Sequence, residues 1–565
     1  MILLAVKGPS PARTIPRSMP RVEPVPVTAE SIRCFLQASR ASRKDSKYDF
    51  PVLAPFQVLA RQRGERMFSR WFEGVSPFRV IEAALAEAPG ADVLELCVTT
   101  GFHALDLTSC SAALSNRNRG RYGAQIVLHG MVHRVSPLET IACNRSLKSW
   151  FGNVAAMQGL SERRFFESGG KLSLIECRQF IISMSGRGSV IEAYRGNEVV
   201  DPNTSTTALC DDVMAGMGKW LMTNVGADGA LPYKYWPSSG KHSEADNPIR
   251  RFMATIAFNR LATMLKSRDM RLAAKRNLAF NLRRFYRSKA DLGVIEWDGS
   301  IKLGAVALAG LAILESPFSE QWDVELRALR ATVDHLWSAD GSFRTFLEPA
   351  ERNDNQNFYP GEALLFQALS LRRVLDETLL RKTLRSLWTY RDHFHRDPNP
   401  AFVPWHAQTA AALFEITGNP DLRDYVFQLI DWLLPHQQWG GDLDPDLWGR
   451  FYSPHRPHYG PPHASSTGVY LEGIVDAWKI AKAVGDSGRV KIYGESFRRG
   501  LRSIAQLQFK NGCDTYYITR KDRVLGAVRT EAYDNEIRVD NLQHALMALL
   551  KFRSSDLAEP ESSAE

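Results

Sequence analysis

Carboxylates, a histidine and an arginine crowd into residues 532–550, AYDNEIRVDNLQHALMALL, as Asp534, Glu536, Arg538, Asp540 and His544, with the amides Asn535 and Gln543 among them. Such a set can give a proton, take one, and hold the negative charge that develops in between. That is general acid–base chemistry with electrostatic support. Leu542, Leu546, Leu549 and Leu550 recur at helical spacing and predict a helix with one buried face. Asp540, Gln543 and His544 lie three and four residues apart, so they share another face near the helix start. Asp540 with Gln543 three residues on is also a capping pair, and capping does not exclude chemistry.

The same layout, a polar loop ending at an apolar helix, recurs upstream. One loop contains Trp236 and ends in Lys241, His242, Glu244 and Asp246, followed by Arg250 and Arg251. Another ends in Asp354, Asn355, Asn357, Tyr359 and Glu362. A short loop delivers Trp405 and His406, and a long one carries Asp442, Asp444, Asp446, Arg450, Tyr452, His455, His458 and His463. Structural roles compete with each of these. Glu362, in YPGEALL, sits where a helix dipole favours an acid. Asp228, Asp298 and Asp340 stand beside glycines, as turn formers do. Arg250 and Arg251 can pair with loop acids. Trp236, Trp297, Trp439 and Trp448 can stack on a ligand ring or plug a wall between helices.

Helices must hold these loops. From residue 204 onward the pattern alternates apolar helix, polar loop and second apolar helix, an irregular repeat. The helices that follow the loops begin near Pro248, Lys302, Pro360, Pro404, Ser465 and Asp540. Proline at the first helical position in three of these six marks the boundaries, because its missing N–H costs nothing there. Six helical hairpins predict a closed toroid over residues 204–554, with six inner and six outer helices. The inner set is the more apolar, as in ALAGLAILE, ALLFQALSL and ALMALL. Inner-helix N-termini, with unpaired N–H groups and partial positive charge, then surround the polar loops.

Residues 29–203 read differently, as an α+β domain of unassigned role. Helices are expected over 31–39, 55–72 and 77–88, and strands over 93–99, 125–135, 172–184 and 189–194. Ser136, Pro137 and Glu139 spell a capping box. His103, His129 and His133 lie in or near strands and are expected to be structural. Residues 1–28, rich in Pro and Arg, and the tail 555–565 read as disordered. The expected fold is therefore multidomain, an α+β domain followed by an all-α toroid.

A chain of 565 residues, 44% hydrophobic and 24% charged, has room for more than one domain with a sizeable core. Its formal charge of +9, from 71 Lys and Arg against 62 Asp and Glu, is a mild bias without long basic runs. It suits an acidic polymer, a uronic-acid glycan or nucleic acid, and selects neither; a carbohydrate is the expected partner and nucleic acid is not. Seven scattered cysteines, with no CxxC pair, point to a reducing, cytoplasmic setting. No stretch approaches a membrane span, and the start MILLAVKGPSPAR lacks the order of a signal peptide. The oligomeric state is not legible.

With its six hairpins, the region of about residues 204–552 resembles the six-hairpin superfamily. These (α/α)6 toroids include glycoside hydrolases, some polysaccharide lyases and sugar epimerases. The likeness rests on the architecture, on the GADG and SADG turns, and on loops that end in carboxylates, without one family's signature. It implies a carbohydrate substrate and catalytic residues at the loop ends. Hydrolysis would need two carboxyls about 5–9.5 Å apart, one of them protonated, and Glu536 or Asp540 opposed by Glu244 or Glu362 is the expected pair. Epimerisation or lysis of a uronic acid would instead need bases and a carboxylate neutraliser, roles open to His463, His544, Tyr359 and Arg538. Substrate contacts are expected from Arg538, Asp246, Arg250, Tyr359, Trp405, His406, His463, Tyr452 and Trp236. Glycoside hydrolysis of an oligo- or polysaccharide is the leading expectation. A uronic-acid epimerase or lyase, and a non-catalytic glycan-binding or scaffold protein, are the alternatives.

Other helical toroids host terpene cyclases, prenyltransferase β-subunits and lanthionine cyclases. Here Asp211-Asp212 lacks a third acid, Asp442-Leu-Asp444-Pro is not DxDD, and Cys513 has no neighbouring cysteine. HRPHYGPPH offers His455, His458 and His463, but its prolines and glycine make it a loop. No metal and no cofactor is expected.

Overall fold

The computed structural model describes residues 27–40, 48–184, 188–510 and 512–556. Most of the expected disordered leader and tail lies outside the described residues. The chain forms two compact units, one of Met1–Glu198 with Gly512–Thr519, the other of Val199–Asn511 with Arg520–Glu565. The segment Gly512–Thr519 thus clusters with the front unit, although helical repeats flank it on both sides.

The front unit is built on a seven-stranded antiparallel sheet. Its strands are β1 (Phe56–Gln62), β2 (Glu65–Phe72), β3 (Val93–Leu105), β4 (Tyr122–Leu128), β5 (Met131–Val135), β6 (Lys171–Ser183) and β7 (Ser189–Ala193). They run in the order β2-β1-β3-β6-β4-β5, with β7 paired to β6. Helices α1 (Ala29–Arg40) and α2 (Pro77–Glu87) contribute Ile32, Phe78 and Ile81 to one core with Phe56, Val58, Leu94, Leu96 and Phe180 of the sheet. The short helices α3 (Leu107–Ala113) and α4 (Pro137–Ala142) are followed by α5 (Leu147–Met157) and α6 (Glu162–Glu167), which close a second core over Ala124, Ile126 and Leu174. The capping box of α4 is formed in both directions between Ser136 and Glu139.

Residues 55–72 are not the helix expected from sequence but the hairpin β1–β2. β1 is buried on both faces, so its apolar run shows no alternation to distinguish it from a helix. The decisive feature is Arg63-Gly64, which turns the chain with both residues at positive φ, 49° and 84°.

In the second unit six helices form a closed ring. They are α8 (Pro248–Met264), α10 (Leu303–Leu314), α12 (Tyr359–Leu371), α14 (Val403–Thr417), α16 (Ala464–Ala483) and α18 (Val539–Asp556). Each packs on the next, and α18 packs back on α8. All six begin within a residue or so of the positions expected from the sequence. α10, LGAVALAGLAIL, is buried at every position, which is why it is apolar all round. Close approach is built in with glycine: a Cβ on Gly468 of α16 would stand 2.5 Å from the Ala545 nitrogen of α18.

Outside this ring, α9 (Arg268–Phe285), α11 (Asp323–His335), α13 (Glu377–Arg396), α15 (Pro420–Leu433) and α17 (Ser487–Leu507) each pack on the ring helix before them, and α7 (Thr206–Asn224) packs on α17 and α18. These are amphipathic; α13 buries Leu380, Thr383, Leu387, Tyr390 and Phe394 and exposes its charged face. The loops add two small sheets. One joins β10 (Tyr286–Lys289), β11 (Leu292–Trp297), β12 (Ser300–Lys302) and β13 (Phe346–Glu348). The other, in the order β14-β15-β8-β9, joins β8 (Lys234–Trp236), β9 (Lys241–His242), β14 (Arg529–Glu531) and β15 (Asp534–Arg538). Among the described residues no helix is long and apolar enough to cross a membrane.

Candidate active site

Polar side chains converge at the N-terminal ends of the ring helices. Asn247 caps α8 by accepting the Arg250 N–H, at 3.3 Å, and so fixes the first turn from which Arg250 projects. The Arg250 guanidinium donates to the Asp540 carboxylate at 2.5 Å, joining α8 to α18. Arg538 donates to the same carboxylate through Nε at 3.0 Å. Arg538 and Glu536, two residues apart on β15, share one face of that strand. Across from them on β8, Lys234 pairs with Arg538 in register. The Glu536 carboxylate accepts from Trp236 Nε1 at 3.0 Å and lies 3.3 Å from Lys234 Nζ.

Two buried carboxyls here, Asp540 and Glu362, behave in opposite ways. Burial pushes the Asp540 carboxyl up, but the guanidiniums of Arg250 and Arg538 outweigh it and hold the group well below the usual carboxylate range. Asp540 is therefore a fixed anion that positions two arginines. Glu362, in the first turn of α12 and 3% exposed, has burial as its dominant influence and only Arg250 against it, so its carboxyl rises to about 8. It is protonated at neutral pH, and its Oε2 has no hydrogen-bond partner. Gly304 makes room for it, because a Cβ there would collide with the Glu362 carboxyl.

The imidazoles complete the cluster. His463 is the N-cap of α16, its Nδ1 accepting the Ser466 N–H at 3.2 Å. Burial, with Arg538 and Arg250 nearby, lowers it to about 4, so it is neutral. His544, 7% exposed on α18, holds Glu472 of α16 through Nδ1 at 2.8 Å. In the neutral tautomer that donates from Nδ1 to that carboxylate, the lone pair is on Nε2. Trp405 of α14 meets His544 edge-on at 6.0 Å between ring centroids. Gln543 is buried with neither its amide oxygen nor its amide nitrogen partnered.

The structure thus brings together Glu362, Tyr359, Arg250, Asp540, Arg538, His463, His544 and Trp405, with Glu536 and Trp236 on the adjoining sheet. It corrects other expectations. Asp540 cannot serve as a proton-donating acid, because two guanidiniums keep it ionised. Nor does it cap α18 with Gln543; its carboxylate is committed to Arg250 and Arg538, and Gln543 has no partner. Glu244 is exposed in the loop between β9 and α8, and among the described residues no hydrogen bond or ion pair orients it. Asp246 is taken up by Arg251 at 2.6 Å and Arg284 at 3.0 Å. His406 is fully buried, stacked on Phe402 at 3.5 Å and lowered by burial to about 3, which makes it a packing residue of α14. Tyr452 stacks against Arg450 at 5.4 Å, and Arg450 itself is paired with Glu531. His455 and His458 are exposed, and among the described residues no group of three His, Cys, Asp or Glu is placed to hold a metal ion.

Glu472 escaped the sequence reading. Its signal was a lone acid inside the apolar run VYLEGIV, 1% exposed once folded, where an unpaired carboxylate would be costly.

No protein-family model matches this chain, and no curated protein matches it. Several solved structures are similar to it at low identity. A D-mannose isomerase is 12% identical with a TM-score of 0.48, over 62% of this chain and 98% of its own. An α-1,6-mannanase from Salegentibacter sp. HEL1_6 is 10% identical with a TM-score of 0.44, over 62% and 99%. A family 76 glycoside hydrolase from a bovine Bacteroides thetaiotaomicron strain is 9% identical with a TM-score of 0.46, over 83% and 97%. At these values the likeness assigns this chain neither a substrate nor a reaction.

Proposed function

We propose that the helical unit is an (α/α)6 toroid acting on a carbohydrate, and that its reaction is proton transfer at a sugar carbon, an epimerisation or isomerisation. The observation that carries this reading is the division of labour around Arg250. A protonated Glu362 stands on one side and the His544–Glu472 pair, at 2.8 Å, belongs to the same cluster. His544 Nε2 takes the proton from a carbon next to a carbonyl, and Glu472 steadies the imidazolium that results. Glu362 gives its proton to the carbonyl oxygen, forming a neutral enediol, and the Arg250 guanidinium supports the oxygen as charge shifts onto it. Delivery of the proton to the opposite face of the same carbon, with Glu362 regaining the proton it gave, completes an epimerisation; delivery to the neighbouring carbon, with Glu362 taking the proton of the other enediol oxygen, completes an isomerisation. A carboxyl near 8 is well matched to giving and regaining a proton at neutral pH.

Hydrolysis is the second reading, and one observation favours it: a buried protonated glutamic acid is what a glycosidase uses as its general acid. It is weakened because the Asp540 carboxylate is already engaged by Arg250 and Arg538 and Glu244 is exposed, which leaves Glu536 as the carboxylate best placed to oppose Glu362.

Incubation with neutral and uronic-acid sugars in heavy water, followed by proton NMR and mass, separates the two. Deuterium entering an intact sugar, lost in H544Q and E362Q, is the expected result. Cleavage fragments whose masses sum to that of the substrate plus one water establish a hydrolase instead. No change in any sugar sinks the carbohydrate reading.

A further inference from the structure

At the opposite end of the same ring lies a cavity of about 720 Å3, among the C-terminal halves of the ring helices. That volume is in the range that encloses a small ligand. Its floor is apolar, made by Leu365, Leu369, Ala411, Met547 and Leu550. Around the floor stand six cations, Arg260, Lys266, Arg372, Arg373, Lys479 and Lys551, and three acids, Glu315, Glu415 and Asp476.

The acids are already used. Arg260 holds Glu315 at 2.6 Å, Arg372 holds Glu415 at 3.2 Å, and Lys551 holds Asp476 at 2.5 Å. Three positive charges are left over, on Lys266, Arg373 and Lys479. Helix C-termini attract cations, which accounts for Lys266 and Arg373 beside the ends of α8 and α12. It does not account for Lys479, which lies a turn inside α16, half-buried, with burial lowering its pKa. Nor does it account for Gln408, 4% exposed in the middle of α14. The Gln408 amide oxygen accepts from Lys551 Nζ at 2.7 Å, and its amide nitrogen, enclosed beside the cavity, has no hydrogen-bond partner among the described residues.

We infer that this cavity is a second binding site, taking a small amphipathic anion whose apolar body rests on the floor and whose anionic head meets Lys479. The site is separate from the cluster at the N-terminal end and does not depend on the reaction proposed there. Its head-group chemistry is an oxyanion, whether carboxylate, sulfonate or phosphate.

The test uses the full chain and 8-anilinonaphthalene-1-sulfonate, an apolar bicyclic body with one sulfonate, beside the neutral N-phenyl-1-naphthylamine. The sulfonate probe is expected to saturate at one molecule per chain, with blue-shifted emission, and to bind at least tenfold more weakly at high salt. K479Q is expected to weaken it about tenfold and to leave the neutral probe unchanged. L369W, which fills the floor, should abolish binding of both, with circular dichroism reporting that it folds. E362Q, at the other end of the ring, should leave the sulfonate probe's affinity within twofold. Equal affinity for the charged and neutral probes in the unaltered protein would overturn the inference. So would sulfonate binding that ignores K479Q, since K479Q changes one half-buried surface side chain and does not threaten the fold.

Discussion

At the N-terminal end of the ring two buried side chains, Glu362 and Gln543, are short of partners, whereas at the C-terminal end every acid around the open space is paired. Glu362 Oε2 and both polar atoms of Gln543 lack hydrogen bonds at the first end. Three ion pairs, Arg260–Glu315, Arg372–Glu415 and Lys551–Asp476, absorb the acids of the second. Each unmet buried group costs about 1–3 kcal/mol, so a fold keeps several together only where something else depends on them. The contrast fits the two proposals, proton chemistry at one end and ligand holding at the other, and it can be broken by substitution at either.

The largest effect is expected at Glu362. Its carboxyl ionises near 8 in the folded chain, against an ordinary value of 4.5. The folded state therefore holds the proton more tightly than the unfolded one, and this contribution is complete below about pH 4.5 and lost as pH rises to about 8. The shift corresponds to an upper bound on the order of 5 kcal/mol. E362Q should flatten the fall in urea midpoint between pH 5 and 9, and should slow proton exchange into substrate by about 10²–10⁴-fold. A pH profile of stability that is the same in E362Q and the unaltered protein would place the proton elsewhere.

Next comes Asp540. Asparagine there leaves Arg250 and Arg538 without their shared anion in a buried setting, and a loss of about 3–5 kcal/mol is expected in denaturant unfolding. The matching change at the other end, R372Q, breaks a pair whose side chains are 50% and 53% exposed, and should cost under about 1 kcal/mol. Similar costs for the two would erase the distinction between the ends. E472Q is smaller still: the fold should hold while exchange falls about 10–100-fold, because His544 loses the carboxylate that sets its tautomer.

These expectations also show what the sequence could and could not disclose. The ring helices were legible because apolar runs opened by proline carry their own boundaries, as at Pro248, Pro360 and Pro404. Loop residues at those openings were legible as a group. Their individual states were not, because Asp540 and Glu362 differ only in how many guanidiniums fold against them, and Arg250 lies 290 positions before Asp540 in the chain. Glu472 was hidden for a related reason: it serves the site from the middle of a helix rather than from a loop. The hairpin over 55–72 was missed because a strand buried on both faces loses the alternation that distinguishes it from a helix.

The smallest effect expected is at Glu244, and it tests one of the carboxyl pairs on which hydrolysis could rest. A hydrolase needs a second carboxyl held across the scissile bond to within about half an ångström, which demands packing or hydrogen bonds around that carboxyl. Glu244 has neither, being exposed in the loop before α8, while its neighbour Asp246 is clamped by Arg251 and Arg284. E244Q should therefore change turnover by less than about twofold, within the range of an ordinary surface substitution. A loss near the 10²–10⁴-fold expected for E362Q would mean that substrate draws this loop inward. Glu244 and Glu362 would then be the carboxyl pair, and hydrolysis would displace proton transfer as the reaction at this end of the ring.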